Sequence, residues 1–186
     1  GISKEEMLDQ LDSSIEEFAK YKDISKQEAI ELLKDNYDGY HFTYNSPDIF
    51  NPFSLLQVLQ NKNTDAYWFG SGTPTFLLQE MKKFNVKPED IKSMELPSTA
   101  FDVPTETMDS IIPLLYQSGY LTIKAYNKVS RMFTLDIPNT EVRAGIMGSL
   151  LPYVIQNAPI TKAQALPGKM YEAIYEDDFD KMMDLL

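Results

Sequence analysis

The chain has 186 residues, of which 43% are apolar and 24% charged, with 17 Lys and Arg against 28 Asp and Glu, a formal charge of -11 and a pI near 4.5. These proportions match ordinary globular domains and exclude wholesale disorder, and the length supports one domain or two small ones around a real core. Apolar runs reach only four or five residues, far short of the roughly 20 needed to cross a bilayer, so a spanning helix is excluded. The absence of cysteine rules out disulfides and thiolate metal sites; with no basic, apolar leader at residues 1–6, it sets the expectation of a cytoplasmic protein. An acidic field repels phosphate backbones, so nucleic-acid binding would need a locally basic patch.

The first predicted helix starts at Ser3, which with Glu6 spells a capping box, and Ile2 and Met7 can staple it. Met7, Leu8, Leu11, Ile15 and Phe18 then share a face. Ser25 and Glu28 repeat the capping signature before Ala29, Ile30, Leu32 and Leu33, so a second helix should pack antiparallel to the first. From Asn36 to Phe42 an Asp38-Gly39 turn signal lies among aromatics, which predicts a small hairpin whose second arm falls near Asp48 to Asn51. Asn51-Pro52 reads as a helix start, with Phe53, Leu55, Leu56 and Leu59 inward. Thr73-Pro74 repeats that signal, and Lys87-Pro88-Glu89-Asp90 opens a further helical turn. The stretch from Ser93 to Pro104 has two prolines and no period, and is read as a linker or surface loop.

Beyond it, Met108, Ile111, Ile112, Leu115 and Tyr116 mark a helix that Gly119 ends as a left-handed cap. Leu121, Ile123 and Ala125 alternate with polar neighbours, as do Phe133, Leu135 and Ile137, so two strands joined at Asn127 to Ser130 are expected. Pro138-Asn139 stops the second strand and caps a helix carrying Val142, Ile146 and Leu150. Helix, hairpin and helix in this order resemble a winged-helix unit. One or two helices are expected after Ile160. The missing initiator Met and an apolar stripe still running at Leu185-Leu186 are read as signs of a longer parent.

Catalytic chemistry finds little footing. A phosphate-binding loop needs Gly-x-x-x-x-Gly-Lys-Ser/Thr, and the nearest run, Gly70-Ser71-Gly72-Thr73, lacks the Lys. Pro47-Asp48 with Glu80-Met81-Lys82 spells a metal-dependent nuclease pattern, but that chemistry needs its carboxylates on neighbouring strands, and Glu80 falls in a predicted helix. His41 is the sole histidine, with no cysteine and no nucleophile elbow beside it, so a strand residue bonded to backbone is the better reading. The run Glu176-Asp177-Asp178 lacks the ligand spacing of a calcium loop. The aromatics Tyr37, Tyr40, Phe42, Tyr67, Trp68 and Phe69 are read as core before base-stacking platform. Lys124, Lys128, Arg131 and Arg143 are the residues a nucleic-acid-binding version would use, but the unit from Thr105 to Asn157 is neutral, which favours partner docking.

Five segments taken together, Asn36 to Phe42, Asn51 to Leu56, Tyr67 to Pro74, Leu115 to Thr122 and Ile137 to Val142, resemble a bacterial AAA-ATPase-like family. Full-length members resemble a P-loop ATPase core, then this helical region, then a PD-(D/E)xK nuclease-like domain. The resemblance implies that the chain is the piece between the two. The ATPase core would precede Gly1, and the nuclease-like domain would follow Leu186. Matching motif positions are Tyr37, Asp38, Gly39, Tyr40, Asn51, Pro52, Trp68, Gly72, Thr73, Gly119, Tyr120, Pro138 and Asn139, none with a known role. No catalytic, cofactor or metal residue is expected in this chain, ATP and Mg²⁺ being implied only for the absent core.

The expected fold is mostly α with small β-hairpins, an α+β arrangement: a helical lid-like region over 1–100, a winged-helix-like unit over 101–158 and linker helices over 159–186. The expected function is a non-catalytic lid that packs on the ATPase core and relays nucleotide state. The expected partners are the ATPase core and nuclease-like domain of the same polypeptide, with no membrane. The alternatives are a nucleic-acid-binding module or a protein interaction scaffold.

Overall fold

The computed structural model describes residues 1–41, 43–70, 79–81, 83–84, 88–91, 93–104, 109–146, 148, 168–169 and 172–173. Helices combine with two small antiparallel sheets, in keeping with the α+β expectation. The first helical stretch divides into α1 (Lys4–Gln10) and α2 (Asp12–Lys22), with the break at Leu11. Both predicted capping boxes form. Glu6 N donates to Ser3 Oγ at 3.2 Å while Ser3 N donates to Glu6 Oε2 at 2.8 Å, and Ser25 and Glu28 do the same at the head of α3 (Lys26–Tyr37). Each box satisfies two amides that the helix itself leaves without acceptors.

Strand β1 (Ile2–Ser3) pairs with β2 (Ile49–Phe50), Ile2 opposite Phe50. Tyr40 bridges Ile49 on the same segment through two backbone bonds, so the second arm of the expected hairpin is where the pattern put it. Its turn differs: the chain reverses near Thr43 to Ser46, whereas Asp38 caps α3 and Gly39 takes φ +91°. Helix α4 (Pro52–Asn61) begins as its Asn-Pro signal predicts, Asn51 Oδ1 accepting from Phe53 N at 3.0 Å, and α5 (Tyr67–Gly70) is one turn. Met7, Ile15, Phe18, Leu33, Tyr37, Phe50 and Leu55 form a core within these elements. Full burial of each such side chain contributes roughly 1.5–3 kcal/mol of transfer free energy.

The stretch read as a linker is structured instead. It holds β3 (Met94–Leu96), which pairs with β5 (Met132–Asp136), and β5 in turn pairs with β4 (Thr122–Asn127), giving the sheet order β3-β5-β4. Periodicity could not announce a three-residue strand at a sheet edge, because two alternations are too few to register. The predicted turn at Pro88–Ile91 is a 3₁₀ helix. Helix α6 (Ile112–Gln117) ends as expected, with Gly119 at φ +80°, Gly119 N donating to Tyr116 O and Tyr120 N to Leu115 O. This double bond pattern is a Schellman cap. Gly119→Ala should cost about 1 kcal/mol, since a Cβ there would meet nothing closer than 3.6 Å and only the left-handed backbone resists it; urea denaturation would measure the loss.

The alternation predicted for β4 fails halfway. A bulge lies between Ile123 and Ala125, so Ile123 faces Leu135 but Tyr126, not Ala125, stands opposite Phe133, with ring centroids 4.5 Å apart. Ala125 is consequently exposed, because one extra residue flips every later side chain to the other face. A helix over 140–146 follows β5, with Asn139 as its cap: Oδ1 accepts from Val142 N at 3.1 Å. The second core gathers Met81, Ile91, Leu115, Leu121, Val142 and Ile146, and packs against Tyr40 and Trp68 from the first half. Of the expected linker helices, residues 168–169 and 172–173 are helical and Ala173 is buried in this core; the rest of that region and the Thr73-Pro74 start lie outside the described residues. Among the described residues, no helix is long and apolar enough to cross a membrane.

Candidate functional site

The motif segments meet where the two cores touch. The Glu141 side chain, only 2% exposed, reaches from the first turn of the 140–146 helix to α4 and α5. Its Oε1 accepts from Ser54 Oγ at 2.8 Å and from Trp68 N at 2.8 Å. One carboxylate oxygen thereby clasps three segments far apart in sequence. Beside it, Asn139 Nδ2 donates to Asp38 O at 2.8 Å, and Lys124 Nζ, at the β4 bulge, donates to Gly39 O at 3.1 Å and Pro138 O at 2.9 Å. Thr122 Oγ1, fully enclosed, accepts from His41 N at 2.7 Å and donates to His41 O at 3.0 Å. Backbone of the 38–41 segment is thus held by side chains of the β4–β5 unit.

Burial sets the electrostatics. It pushes the Glu141 carboxyl above the usual carboxylate range, against the pull of the Trp68 amide and the Ser54 hydroxyl. Burial likewise raises Asp38, opposed by the Gly39 amide. The phenols of Tyr37 and Tyr40 rise above the ordinary range, first through burial and second through the Glu141 charge. Burial lowers Lys124 and Arg143, each opposed by nearby carboxylates, Asp136 among them. A desolvated medium penalises every charged form, which is the common cause.

Between α3, the 64–66 segment and the 138–144 segment lies a cleft of about 890 Å³. Five carboxylates line it, those of Asp35, Asp38, Asp48, Asp65 and Glu141, against two cations, Lys34 and Arg143. Asp38 Oδ1 and Glu141 Oε2 are enclosed and have no hydrogen-bond partner. Among the described residues, no three His, Cys, Asp or Glu side chains are grouped to hold a metal ion.

Tyr37, Asp38, Gly39, Tyr40, Asn51, Trp68, Pro138 and Asn139 all lie in or against this region. Tyr37 is fully buried and its hydroxyl donates to Asp65 O at 3.0 Å, while the Trp68 ring stands 5.1 Å from Tyr120. Pro52 is exposed at the first position of α4, and Gly119 and Tyr120 belong to the α6 cap. Gly72 and Thr73 lie outside the described residues. Lys128 and Arg131 sit exposed on the β4–β5 turn, Lys124 Nζ is engaged with carbonyls, and Arg143 is half-buried. Glu80 is helical, as the pattern required, and Asp48 stands 2.9 Å from His41 Nδ1.

Ser54, Thr122 and Glu141 were missed as site residues. Ser54 resembles a first-turn helix serine and Glu141 a solvated first-turn acid, the usual place for one. All three do fall within the resembling segments 51–56, 115–122 and 137–142, and Ser54 stands beside Leu55 on a face that buries, where a polar side chain needs a partner.

The chain is similar to an "Uncharacterized protein in vnfD 5'region" of Azotobacter chroococcum mcd 1, with 31% identity over 155 residues, which is 80% of this chain and 28% of that protein. No family model matches the chain, and no solved structure matches it. The chain thus spans little more than a quarter of the length of the curated relative it matches.

Proposed function

We propose that this chain is the non-catalytic lid and winged-helix-like portion of an AAA-ATPase-like protein, packing on a P-loop core and relaying nucleotide state to neighbouring domains. The observation that carries this reading is the relative, in which a similar stretch occupies 28% of a much longer polypeptide. The clasp supports it too. A lid that reports nucleotide state must move as a unit with its reporter, and Glu141, Asn139 and Lys124 tie the helical half to the β4–β5 unit through side chain to backbone bonds. The helix, hairpin and following helix supply the elements of a winged-helix arrangement. The residues that cradle phosphates belong to the P-loop core.

Calorimetry with ATP should register no binding to the isolated chain, and a micromolar dissociation constant would overturn the reading. In the full-length parent, ATP should change hydrogen exchange at amides 38–41 and 139–142; identical protection with and without nucleotide would count equally against it. The rival, a nucleic-acid module, has in its favour the exposed Lys128 and Arg131 on the β4–β5 turn. A gel shift that weakens steeply with salt would select it.

A further inference from the structure

Helix α4 is composed unlike the helices around it. Its inner side gives Leu55, Val58 and Leu59 to the first core and Ser54 to Glu141. Its outer side is exposed at Pro52, Phe53, Leu56, Gln60 and Asn61, with Phe53 46% and Leu56 49% exposed. Phe53, Leu56 and Gln60 keep the spacing of a single helical stripe. None of the ten residues of α4 is charged, in a chain where 24% are. The exposed sides of α1, α2 and α3 carry Glu5, Glu16, Lys20, Glu31 and Asp35 instead. A helix side that meets only water is ordinarily charged or polar, whereas loss of charge together with exposed aromatic and aliphatic groups is the composition of an interface centre.

The pairing of β1 points to what covers that side. Ile2 stands opposite Phe50 and Ser3 opposite Ile49 in an antiparallel pair, and Gly1 lies against the Ile49 side chain. Each step back along β1 therefore advances one step from Ile49 toward Asn51 and Pro52. The backbone leading into residue 1 thus arrives from the side of the first turn of α4. In the curated relative the matching stretch is 28% of the polypeptide, so most of that protein lies outside it. We propose that the exposed side of α4, centred on Phe53 and Leu56, is the surface on which the domain preceding residue 1 in the full-length parent docks, an assignment that rests on the reading above in placing a folded core before residue 1. Docking beside the point of entry needs little linker, and at the high effective concentration this gives a small apolar surface suffices. The facing patch is apolar and uncharged, because α4 presents no partner for an ion pair.

The full-length parent carrying p-benzoylphenylalanine in place of Phe53 tests this, with the same group in place of Val129, 95% exposed on the β4–β5 turn, as the comparison. Irradiation and peptide mapping should place crosslinks from position 53 on the segment before residue 1, at higher yield than from position 129. Leu56→Glu should cut that yield about tenfold, since docking would then bury an unpaired carboxylate. The isolated chain with Leu56→Glu should keep the amide exchange of the unsubstituted chain, because position 56 is half exposed. The mapped partner decides the proposal by itself, however that variant folds. Crosslinks from position 53 to a second copy, identified by mixing isotope-labelled and unlabelled protein, overturn it. Crosslinks to the segment after residue 186, no crosslinks, or equal yields from positions 53 and 129 overturn it as well. The lid reading is scored separately, by the ATP response of amides 38–41 and 139–142. Upstream crosslinks without that response keep the docking surface and sink the lid reading; the reverse pattern sinks the docking surface alone.

Discussion

Glu141→Ala should unfold about 2–4 kcal/mol more easily than Glu141→Gln, because alanine strands the Ser54 hydroxyl and the Trp68 amide while glutamine keeps an oxygen in place of Oε1. The comparison between the two variants, not with the parent, isolates the clasp. Against the parent, a second effect enters. The native carboxyl is held above its ordinary range by burial, so its contribution to stability is fully present below the unfolded value of about 4.3 and is lost as pH rises through the folded value. At pH 7 the parent therefore bears a desolvation cost that glutamine lacks, and Glu141→Gln should equal or exceed the parent in stability. Lowering the pH toward about 4.5 should shrink that advantage. Denaturant melts of the three proteins at pH 7 and 4.5 test this. An advantage of glutamine that grows on acidification would have the wrong sign and would discard the buried-acid account.

Gly39→Ala should cost about 2–5 kcal/mol, lowering the melting temperature by roughly 5–15 °C. Two causes add. Gly39 sits at φ +91°, and a Cβ built there runs into the Pro138 carbonyl oxygen and stands 2.9 Å from Lys124 Nζ. The Pro138 oxygen is backbone held by the Lys124 bond, so it has little freedom to retreat. The contrast with Gly119, where the left-handed backbone is the only obstacle, separates conformational strain from collision. Calorimetric melting of both alanine variants is the measurement; equal losses at the two positions would show that the Asp38–Pro138 junction yields.

The helix starts were legible along the chain because capping is local. Ser3 with Glu6, Ser25 with Glu28 and Asn51 with Phe53 place donor and acceptor within three residues, so the sequence alone suffices to pair them. The Gly119 cap was readable for the same reason, and so were the two strands of the β4–β5 hairpin. What escaped were features whose partners lie far along the chain. The bulge that turns Tyr126 inward depends on how β4 lies on β5, and β3 is a strand only because β5 accepts it. Glu141 illustrates the limit most clearly: its pattern is that of an exposed helix-start acid, and its partners stand 87 and 73 residues away. A short-range code specifies where backbone conformations change. Which polar groups lose their water depends on how separate segments stack, and that desolvation is what shifts the carboxyl groups of Asp38 and Glu141.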